Sequence, residues 1–182
     1  MFIDMGSTQY TASIVSYTPA KLTVMSVHYD PTLGGRDFDG KIKEWAVKEF
    51  KGKFPKAPDP LSRPKSNIKL LAACEKAKKT LSPAGVKEAR INLECLVDEY
   101  DFNGKLTSDA FEEMCADLLG RLEGPIKRCL EESGVELEKI ASVELVGGGT
   151  RVGCVKRQLS EILKVREKGR LHPLVCGIFS LR

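Results

Sequence analysis

Histidine is scarce in this chain, and its cysteines are scattered. His28 and His172 are the only histidines among 182 residues, and none of the six cysteines forms a C-x-x-C pair. Structural zinc sites draw on such ligands at short spacings. The sequence therefore predicts no zinc site, and we interpret most of the cysteines as small buried thiols in a reducing compartment.

Long apolar runs and a leader-like beginning are also missing. No stretch approaches the roughly 20 apolar residues of a membrane span. The opening Met1-Phe2-Ile3-Asp4 lacks the basic and apolar regions of a signal peptide. The composition, 42% hydrophobic and 30% charged, is that of a soluble globular protein. We therefore expect a single domain or one lobe of a larger one, located in the cytoplasm or also the nucleus, with no membrane partner.

The charges are unevenly distributed along the chain. Residues 41–90 carry 14 Lys or Arg and 5 Asp or Glu, a net of +9, whereas residues 91–140 carry 5 and 13, a net of −8. A basic block can bind the phosphates of nucleic acid. Here it lacks interleaved aromatic residues and lies on helix-like segments beside glutamates, which favours a solvated helical face over an RNA-binding surface.

Residues Ser142–Arg157 have the pattern of a strand, a glycine turn and a helix. An apolar run ends at Val146, three glycines follow at Gly147–Gly149, and helical spacing of apolar residues begins after Arg151. Glycine permits a tight reversal and close approach of a ligand to the backbone, and the first turn of a helix attracts anions. The pattern predicts either a nucleotide or phosphate cradle or a tight connection that binds nothing.

A second turn follows Asp4. Phe2–Met5 is predicted to be a short strand, Gly6-Ser7-Thr8 a turn, and the two β-branched runs over 10–17 and 22–29 a hairpin. The carboxylate of Asp4 would lie beside the N–H groups of the turn, which suits a metal-bound phosphate. An aspartate that caps its own turn is the alternative.

Two amphipathic helices are predicted in the middle of the chain. Gly34-Gly35 precede the first, near residues 35–53, and a proline-rich loop separates it from the second, near residues 65–81. The polar side of the second helix carries Glu75, Lys78, Lys79 and Ser82. That side is equally compatible with solvent exposure and with the sugar and ring of a nucleotide.

The remaining patterns complete an α/β fold with one mixed sheet. The sheet is expected to contain strands from 2–30, 86–103 and 142–146. Further helices are predicted over 108–133, broken at Gly124-Pro125, and over 151–164. The cap of the former is Asp109 in a capping box with Glu112, or alternatively Thr107 or Ser108. Residues 166–182 match no element and are expected to pack poorly.

Four motifs stand in order along the chain. They are Asp4-Met5-Gly6, Gly34-Gly35-Arg36-Asp37-Phe38-Asp39, Glu75-Lys76-Ala77-Lys78-Lys79-Thr80-Leu81-Ser82 and Val146-Gly147-Gly148-Gly149-Thr150-Arg151. Together they resemble the second lobe of the ATPase domain of the heat-shock protein 70 superfamily. The resemblance covers about residues 2–164 and implies the actin-like, ribonuclease-H-like α/β fold, in which helices pack on a mixed sheet.

The resemblance also implies a site for ATP or ADP with Mg²⁺. Asp4 would help to hold the metal through its waters, and the turn of Gly6, Ser7 and Thr8 would meet the β- and γ-phosphates. Adenosine would be contacted by two sets of residues, and Gly34 and Gly35 would lie at the cleft between the lobes. The two adenosine sets are Glu75, Lys78, Lys79 and Ser82 from the helix, and Gly147, Gly148, Gly149 and Arg151 from the glycine turn. We expect the two sets to face each other across one groove.

The first motif departs from the family pattern Asp-Leu-Gly-Gly-Gly-Thr-Phe-Asp. Here the turn is Asp4-Met5-Gly6-Ser7-Thr8-Gln9-Tyr10-Thr11, so two glycines, a threonine and an acidic residue are replaced. This predicts poor hydrolysis of ATP. Together with Arg36, the polar turn resembles the 110-kilodalton branch, whose members serve as nucleotide exchange factors and holdases for ordinary heat-shock 70 chaperones. The expected partners are therefore such a chaperone and unfolded client proteins.

The resemblance accounts for only part of that domain. A first lobe should precede Asp4, and a closing helix should follow about residue 165. We therefore expect residues 1–165 to be a partial second lobe and residues 166–182 to be a tail that does not match the family. The alternatives are a small-molecule kinase on the same actin-like fold and a basic module that binds RNA.

Overall fold

The computed structural model describes residues 1–163 and 171–173. The chain forms two compact units, one from residues 1–35 together with 118 onwards (unit 1) and one from residues 36–117 (unit 2). The described strands are β1 Phe2–Met5, β2 Tyr10–Thr18, β3 Lys21–Asp30, β4 Glu88–Val97, β5 Tyr100–Thr107, β6 Val143–Val146 and β7 Leu171–Pro173. The described helices are α1 Gly35–Lys53, α2 Pro64–Leu81, α3 Ser108–Met114, α4 Ala116–Gly120, α5 Glu123–Ser133 and α6 Gly153–Ile162.

Unit 1 contains a mixed sheet with the strand order β3-β2-β1-β6-β7. Strand β1 pairs antiparallel with β2 and parallel with β6, and β2 and β3 form the predicted hairpin. One face of β2 is apolar and buried at Tyr10, Ala12 and Ile14, as expected for a strand with alternating side chains. Since β1 and β6 run parallel, their carboxyl ends lie at the same edge of the sheet.

Helix α5 packs on the hairpin of β2 and β3. Its Cys129 thiol donates to the carbonyl of Ala12 over 3.1 Å, and the hydroxyl of Ser26 donates to the carbonyl of Cys129 over 2.9 Å. Burial raises the pKa of the Cys129 thiol. The burial of this thiol agrees with the prediction that most of the cysteines are small buried thiols.

Strand β7 was not predicted. It pairs parallel with β6, with Leu171 opposite Val143. Nothing in its three residues marks a strand by periodicity, because a run so short has no alternation to recognise. The rest of the predicted tail, residues 166–170 and 174–182, lies outside the described residues.

Unit 2 packs α1 and α2 with the antiparallel hairpin β4–β5. These two strands form a separate two-stranded sheet, so the prediction that residues 86–103 join one mixed sheet was wrong. Phe102 on β5 is fully buried, and its ring meets Trp45 and Phe50 of α1 at centroid distances of 6.4 Å. Helices cover the apolar face of this hairpin, and the alternation in the sequence cannot tell a helical cover from a neighbouring strand.

The predicted helix over 108–133 is divided into α3, α4 and α5. The breaks lie at Cys115 and at Arg121-Leu122 rather than at Gly124-Pro125. Pro125 lies in the first turn of α5, where a missing backbone N–H removes no helical hydrogen bond. The cap of α3 is Thr107, one of the predicted alternatives, whose hydroxyl accepts from the backbone N–H of Ala110 over 3.3 Å.

Helices α1, α2 and α6 lie where helical spacing predicted them, within about two residues at each end. Among the described helices, none combines the length and apolarity required to cross a membrane.

Candidate functional site

Asp4 and the glycine turn after β6 meet at the carboxyl edge of the sheet in unit 1. Asp4 pairs with Val146 in the parallel ladder, so Gly147 comes directly beside it. Gly147 has φ +84°, and a Cβ there would lie 2.6 Å from Oδ1 of Asp4 and overlap the backbone of Met5. A Cβ on Gly149 would lie 2.8 Å from the sulfur of Met5. Packing therefore requires glycine at both positions.

Gly148 is different from its two neighbours. A Cβ on Gly148 would meet no atom within 4 Å. The turn thus leaves open space at its middle residue, where a ligand can approach the backbone. Of the two interpretations of the glycine turn, tight packing explains Gly147 and Gly149, whereas Gly148 is available for a ligand.

The turn of Gly6, Ser7 and Thr8 after β1 is contacted by a pair of glycines, Gly34 and Gly35. The N–H of Gly6 donates to the carbonyl of Gln9 over 3.1 Å, and the N–H of Gly35 donates to the carbonyl of Gly6 over 2.9 Å. Gly34 is buried, and a Cβ there would lie 2.5 Å from the backbone nitrogen of Thr8. The structure therefore brings Gly34 and Gly35 against the predicted phosphate turn. Gly6 itself faces open space.

The residues after the glycine turn form a 3-10 helix over Gly148–Arg151 before α6 begins at Gly153. The hydroxyl of Thr150 donates to the carbonyl of Gly147 over 2.8 Å and closes this turn. The side of the turn at Arg151 is exposed. Unit 1 thus contains ten of the predicted site residues: Asp4, Gly6, Ser7, Thr8, Gly34, Gly35, Gly147, Gly148, Gly149 and Arg151.

This arrangement fits Mg²⁺ bound through a nucleotide. Asp4 is exposed and is the carboxylate of the cradle. Within the described part of the chain, no three His, Cys, Asp or Glu side chains form a metal-binding group. Mg²⁺ commonly takes one or two carboxylates and fills its remaining positions with water and substrate phosphates. Such a donor set suits an ion that arrives with the phosphates rather than one held in a protein cage.

The predicted adenosine residues of α2 belong to unit 2 and are in two different environments. Lys78 and Asp39 form an ion pair of 2.8 Å, and their side chains are only 11% and 10% exposed. Lys79 and Glu75 form a solvent-exposed pair of 2.7 Å, one helical turn apart. The hydroxyl of Ser82 donates to the carbonyl of Lys78 over 2.8 Å. The polar side of α2 is therefore partly buried.

Asp39 is a residue whose role the sequence did not reveal. Its Oδ1 is buried and has no hydrogen-bond partner among the described residues. Burial raises the pKa of Asp39 more than the neighbouring Lys78 lowers it. Burial, with a contribution from Asp39, also raises the pKa of the Cys74 thiol to about 12. Asp39 and Lys78 lie 39 positions apart, so no local pattern could have paired them.

Arg121 forms a second side-chain network that the sequence did not reveal. Its Nε donates to Oδ2 of Asp30 over 3.0 Å, and its Nη2 donates to Oδ1 of Asp30 and to the hydroxyl of Thr32 over 2.7 Å each. Burial alone would raise the pKa of Asp30, but the hydrogen bonds from Arg121 and Thr32 outweigh it and hold the pKa below its usual value.

The predicted adenosine residues belong to both units. Glu75, Lys78, Lys79 and Ser82 belong to unit 2, and Gly147, Gly148, Gly149 and Arg151 belong to unit 1. That the two sets face each other across one groove stays a prediction.

Comparison with known proteins gives a consistent result. A family model described as Hsp70 protein matches residues 1–173. The chain is 37% identical over 161 residues to heat shock 70 kDa protein 4L of Homo sapiens, and the matched region covers 88% of this chain and 19% of that protein. It is 39% identical over 170 residues to heat shock 70 kDa protein 16 of Arabidopsis thaliana, covering 93% and 22%. It is 33% identical over 164 residues to the 97 kDa heat shock protein of Mesocentrotus franciscanus, covering 90% and 18%.

The chain spans about a fifth of the length of these relatives. The family match extends to residue 173, beyond the resemblance drawn from the motifs, and includes the three residues of β7. The mixed sheet with packed helices agrees with the actin-like fold of the family's ATPase domain. The protein belongs to the heat-shock protein 70 family and lies near its 110-kilodalton branch.

Proposed function

We propose that this chain supplies the phosphate-binding and adenosine-binding residues of one lobe of an ATP-binding chaperone. The observation that carries the proposal is the cradle of unit 1. There, Asp4 lies beside two glycine turns, and the backbone faces open space at Gly6 and at Gly148. Turns that present successive N–H groups are suited to anions. The ligands would be ATP or ADP.

In this proposal each part of the cradle has a separate role. The turn of Gly6, Ser7 and Thr8 would meet the phosphates, with the N–H groups of Ser7 and Thr8 as donors because that of Gly6 donates to the carbonyl of Gln9. Asp4 would orient the waters of Mg²⁺. When bound, Mg²⁺ would neutralise phosphate charge. Gly148 would let the ligand approach the backbone, and the guanidinium of Arg151 would lie at the exposed side of the same turn.

The direct test is a titration of the protein with Mg²⁺ and ATP, followed by amide NMR shifts. We expect the largest shifts at Gly6, Ser7, Thr8 and Gly148, with weak affinity, because hydrogen bonds in an exposed cradle are worth about 1 kcal/mol each. The matched variants are Asp4→Asn and Asp109→Asn, both at exposed positions. Asp4→Asn should weaken the dependence of binding on Mg²⁺, and Asp109→Asn should not. Shifts confined to other residues would refute the proposed site.

We propose that the chain hydrolyses ATP no faster than its Asp4→Ala variant. Phosphoryl transfer requires groups arranged around the γ-phosphate, and the turn here carries Ser7, Thr8 and Gln9 in place of a glycine-rich backbone. The measurement is steady-state phosphate release with Mg²⁺. Turnover that depends clearly on Asp4 would show that the chain completes a catalytic site.

The proposed role in the whole protein is nucleotide exchange on a partner heat-shock 70 chaperone that handles unfolded clients. Membership near the 110-kilodalton branch supports this role, and so do relatives named as heat shock proteins. The test is the release rate of a fluorescent ADP analogue from such a chaperone, with and without a molar excess of the chain. Unchanged release would separate this segment from the exchange activity.

Ion pairs within unit 2 bear on the alternative of RNA binding. Six basic side chains of the 41–90 block have a carboxylate partner within that unit: Lys41, Lys51, Arg63, Lys78, Lys79 and Arg90. Such pairing lowers the charge available to a polyanion and supports the interpretation of the basic block as a solvated helical surface.

A further inference from the structure

We propose that Arg121 is a positioning residue for the phosphate turn. It lies in the two-residue link between α4 and α5 and binds the end of β3 through Asp30 and Thr32. Its effect on the turn is indirect and passes through the backbone of the segment that follows. The inference rests on the proposed function, because it concerns the residues that would meet the β- and γ-phosphates.

The segment from Thr32 to Gly35 connects the Arg121 network to the phosphate turn. Arg121 also donates through Nη2 to the carbonyl of Thr32 over 3.1 Å, so it binds both side chain and backbone there. Leu33 is fully buried, Gly34 lies against the Ser7-Thr8 peptide, and the N–H of Gly35 bonds to Gly6. Leu33, Gly34 and Gly35 thus each have a fixed neighbour, and the bond from Arg121 fixes Thr32 as well. The whole segment therefore has little conformational freedom.

The same link also anchors the other end of the phosphate turn. Leu122 follows Arg121, and its carbonyl accepts a hydrogen bond from the hydroxyl of Tyr10 over 3.2 Å. Tyr10 is fully buried and is the first residue of β2, two residues after Thr8 of the turn. The link Arg121-Leu122 therefore contacts the chain on both sides of the turn region, at Tyr10 after the turn and at Thr32 two residues before Gly34.

A fixed turn costs less to order when a phosphate binds. Immobilising mobile groups on binding lowers affinity, and a network that holds them beforehand avoids that loss. The guanidinium is suited to this role because its donors lie in one plane and reach Asp30 and Thr32 together. A lysine ammonium is a single point and cannot reproduce the planar pair of bonds. The lowered pKa of Asp30 agrees with a charged partner held close.

The experiment compares Arg121→Gln and Arg121→Lys with Arg63→Gln. Arg63 is a matched control because it forms a two-pronged pair with Asp98 in unit 2, also partly exposed, and carries no proposed role. The first readout is amide hydrogen exchange at Gly6 and Gly35, whose N–H groups are hydrogen-bonded within the turn region. The second is affinity for ATP and for AMP, which lacks the β- and γ-phosphates.

We expect Arg121→Gln to speed exchange at both glycines and to weaken ATP binding about three- to tenfold, with AMP affected less than about twofold. Arg121→Lys should fall between wild type and Arg121→Gln, and Arg63→Gln should change neither readout. Unchanged exchange in Arg121→Gln would overturn the inference whatever the nucleotides do. Equal losses for ATP and AMP would also overturn it, because they would indicate general destabilisation.

The two proposals fail in different ways. If wild-type protein binds no ATP at millimolar concentration, the proposed function is refuted. In that case faster exchange at Gly6 and Gly35 in Arg121→Gln would still establish that Arg121 positions the turn. Normal exchange there would refute the positioning role independently of any ligand.

Discussion

The two units prepare their predicted nucleotide residues in opposite ways. In unit 1 the cradle is backbone: two turns in which glycines at 34, 147 and 149 have neighbours that exclude any side chain. In unit 2 the residues are side chains on one helix, and Lys78 is already bound to a buried aspartate. The stability of a backbone turn depends on side-chain volume and backbone torsion angles, whereas the stability of a set of helix side chains depends on charge. Different substitutions can therefore test the two units one at a time.

The largest effect should come from Gly147→Ala. An alanine at φ +84° is strained, and its Cβ would overlap the backbone of Met5 and crowd Asp4. We expect a loss of about 3 kcal/mol or more in the free energy of unfolding, measured by urea denaturation and far-UV circular dichroism.

Gly148→Ala is the control for that variant, because it adds the same methyl group one residue away in open space. Its stability should stay within about 0.5 kcal/mol of wild type. Similar losses for both variants would mean that the turn is sensitive to any Cβ, and the distinction between packed and open glycines would be wrong.

The next effect concerns Lys78 in unit 2. Lys78→Met leaves the Asp39 carboxylate buried without its cation, and removal of one member of a buried pair typically costs about 3 kcal/mol. Uptake of a proton by Asp39 limits the loss. The measurement is again urea denaturation, with Trp45 of unit 2 as a local fluorescent probe.

Lys79→Met is the matched variant, because it removes the adjacent lysine from an exposed pair with Glu75. Exposed pairs contribute little to stability, so we expect no measurable change. If Lys79→Met destabilised the protein as much as Lys78→Met, the buried pair would have no special role.

The smallest effect is a pair of pH dependences with opposite sign. Asp39 has a raised pKa in the folded protein, so its contribution to stability is full below the usual aspartate pKa and falls as pH rises through the raised value. Asp30 has a lowered pKa, so its contribution is present above the usual pKa and is lost as pH falls through the lowered value.

The measurement is the free energy of unfolding from about pH 2.5 to 7 for wild type, Asp39→Asn and Asp30→Asn. The advantage of wild type over Asp39→Asn should shrink with rising pH, and its advantage over Asp30→Asn should grow. Carboxyl NMR titrations give the two pKa values directly. If the pKa values of Asp39 and Asp30 both lay above, or both lay below, the usual aspartate value, the opposite shifts assigned to the two carboxylates would be wrong.

The sequence predicted what local periodicity and glycine placement control. Strands β1–β3, helices α1, α2 and α6, and the turns at Gly6 and Gly147 all follow from patterns within about twenty residues. The sheet membership of β4 and β5 did not, because alternation shows that a strand has an apolar face but not what covers it.

The side-chain networks were also beyond the reach of local patterns. Asp30 pairs with Arg121 across 91 positions, and Asp39 pairs with Lys78 across 39. Asp39 was named only as the last residue of the second motif, and Arg121 had no prediction at all. Pairs of this kind are determined by how distant segments pack against each other, and no pattern in a single sequence shows which distant residues will meet.

The parallel pairing of β1 with β6 also has a consequence for the order of folding. The N–H of Glu144 donates to the carbonyl of Met1, and the terminal ammonium of Met1 donates to the carbonyl of Ser142 over 2.8 Å. Contacts that join such distant parts of a chain form slowly, because a long loop must close first. Residues 36–117 are continuous in sequence and emerge from the ribosome before β6. Unit 2 can therefore fold before β1 has its partner strand β6. Within residues 1–163, the pairing that builds the cradle at Asp4 therefore forms only after the whole of unit 2 has been synthesised.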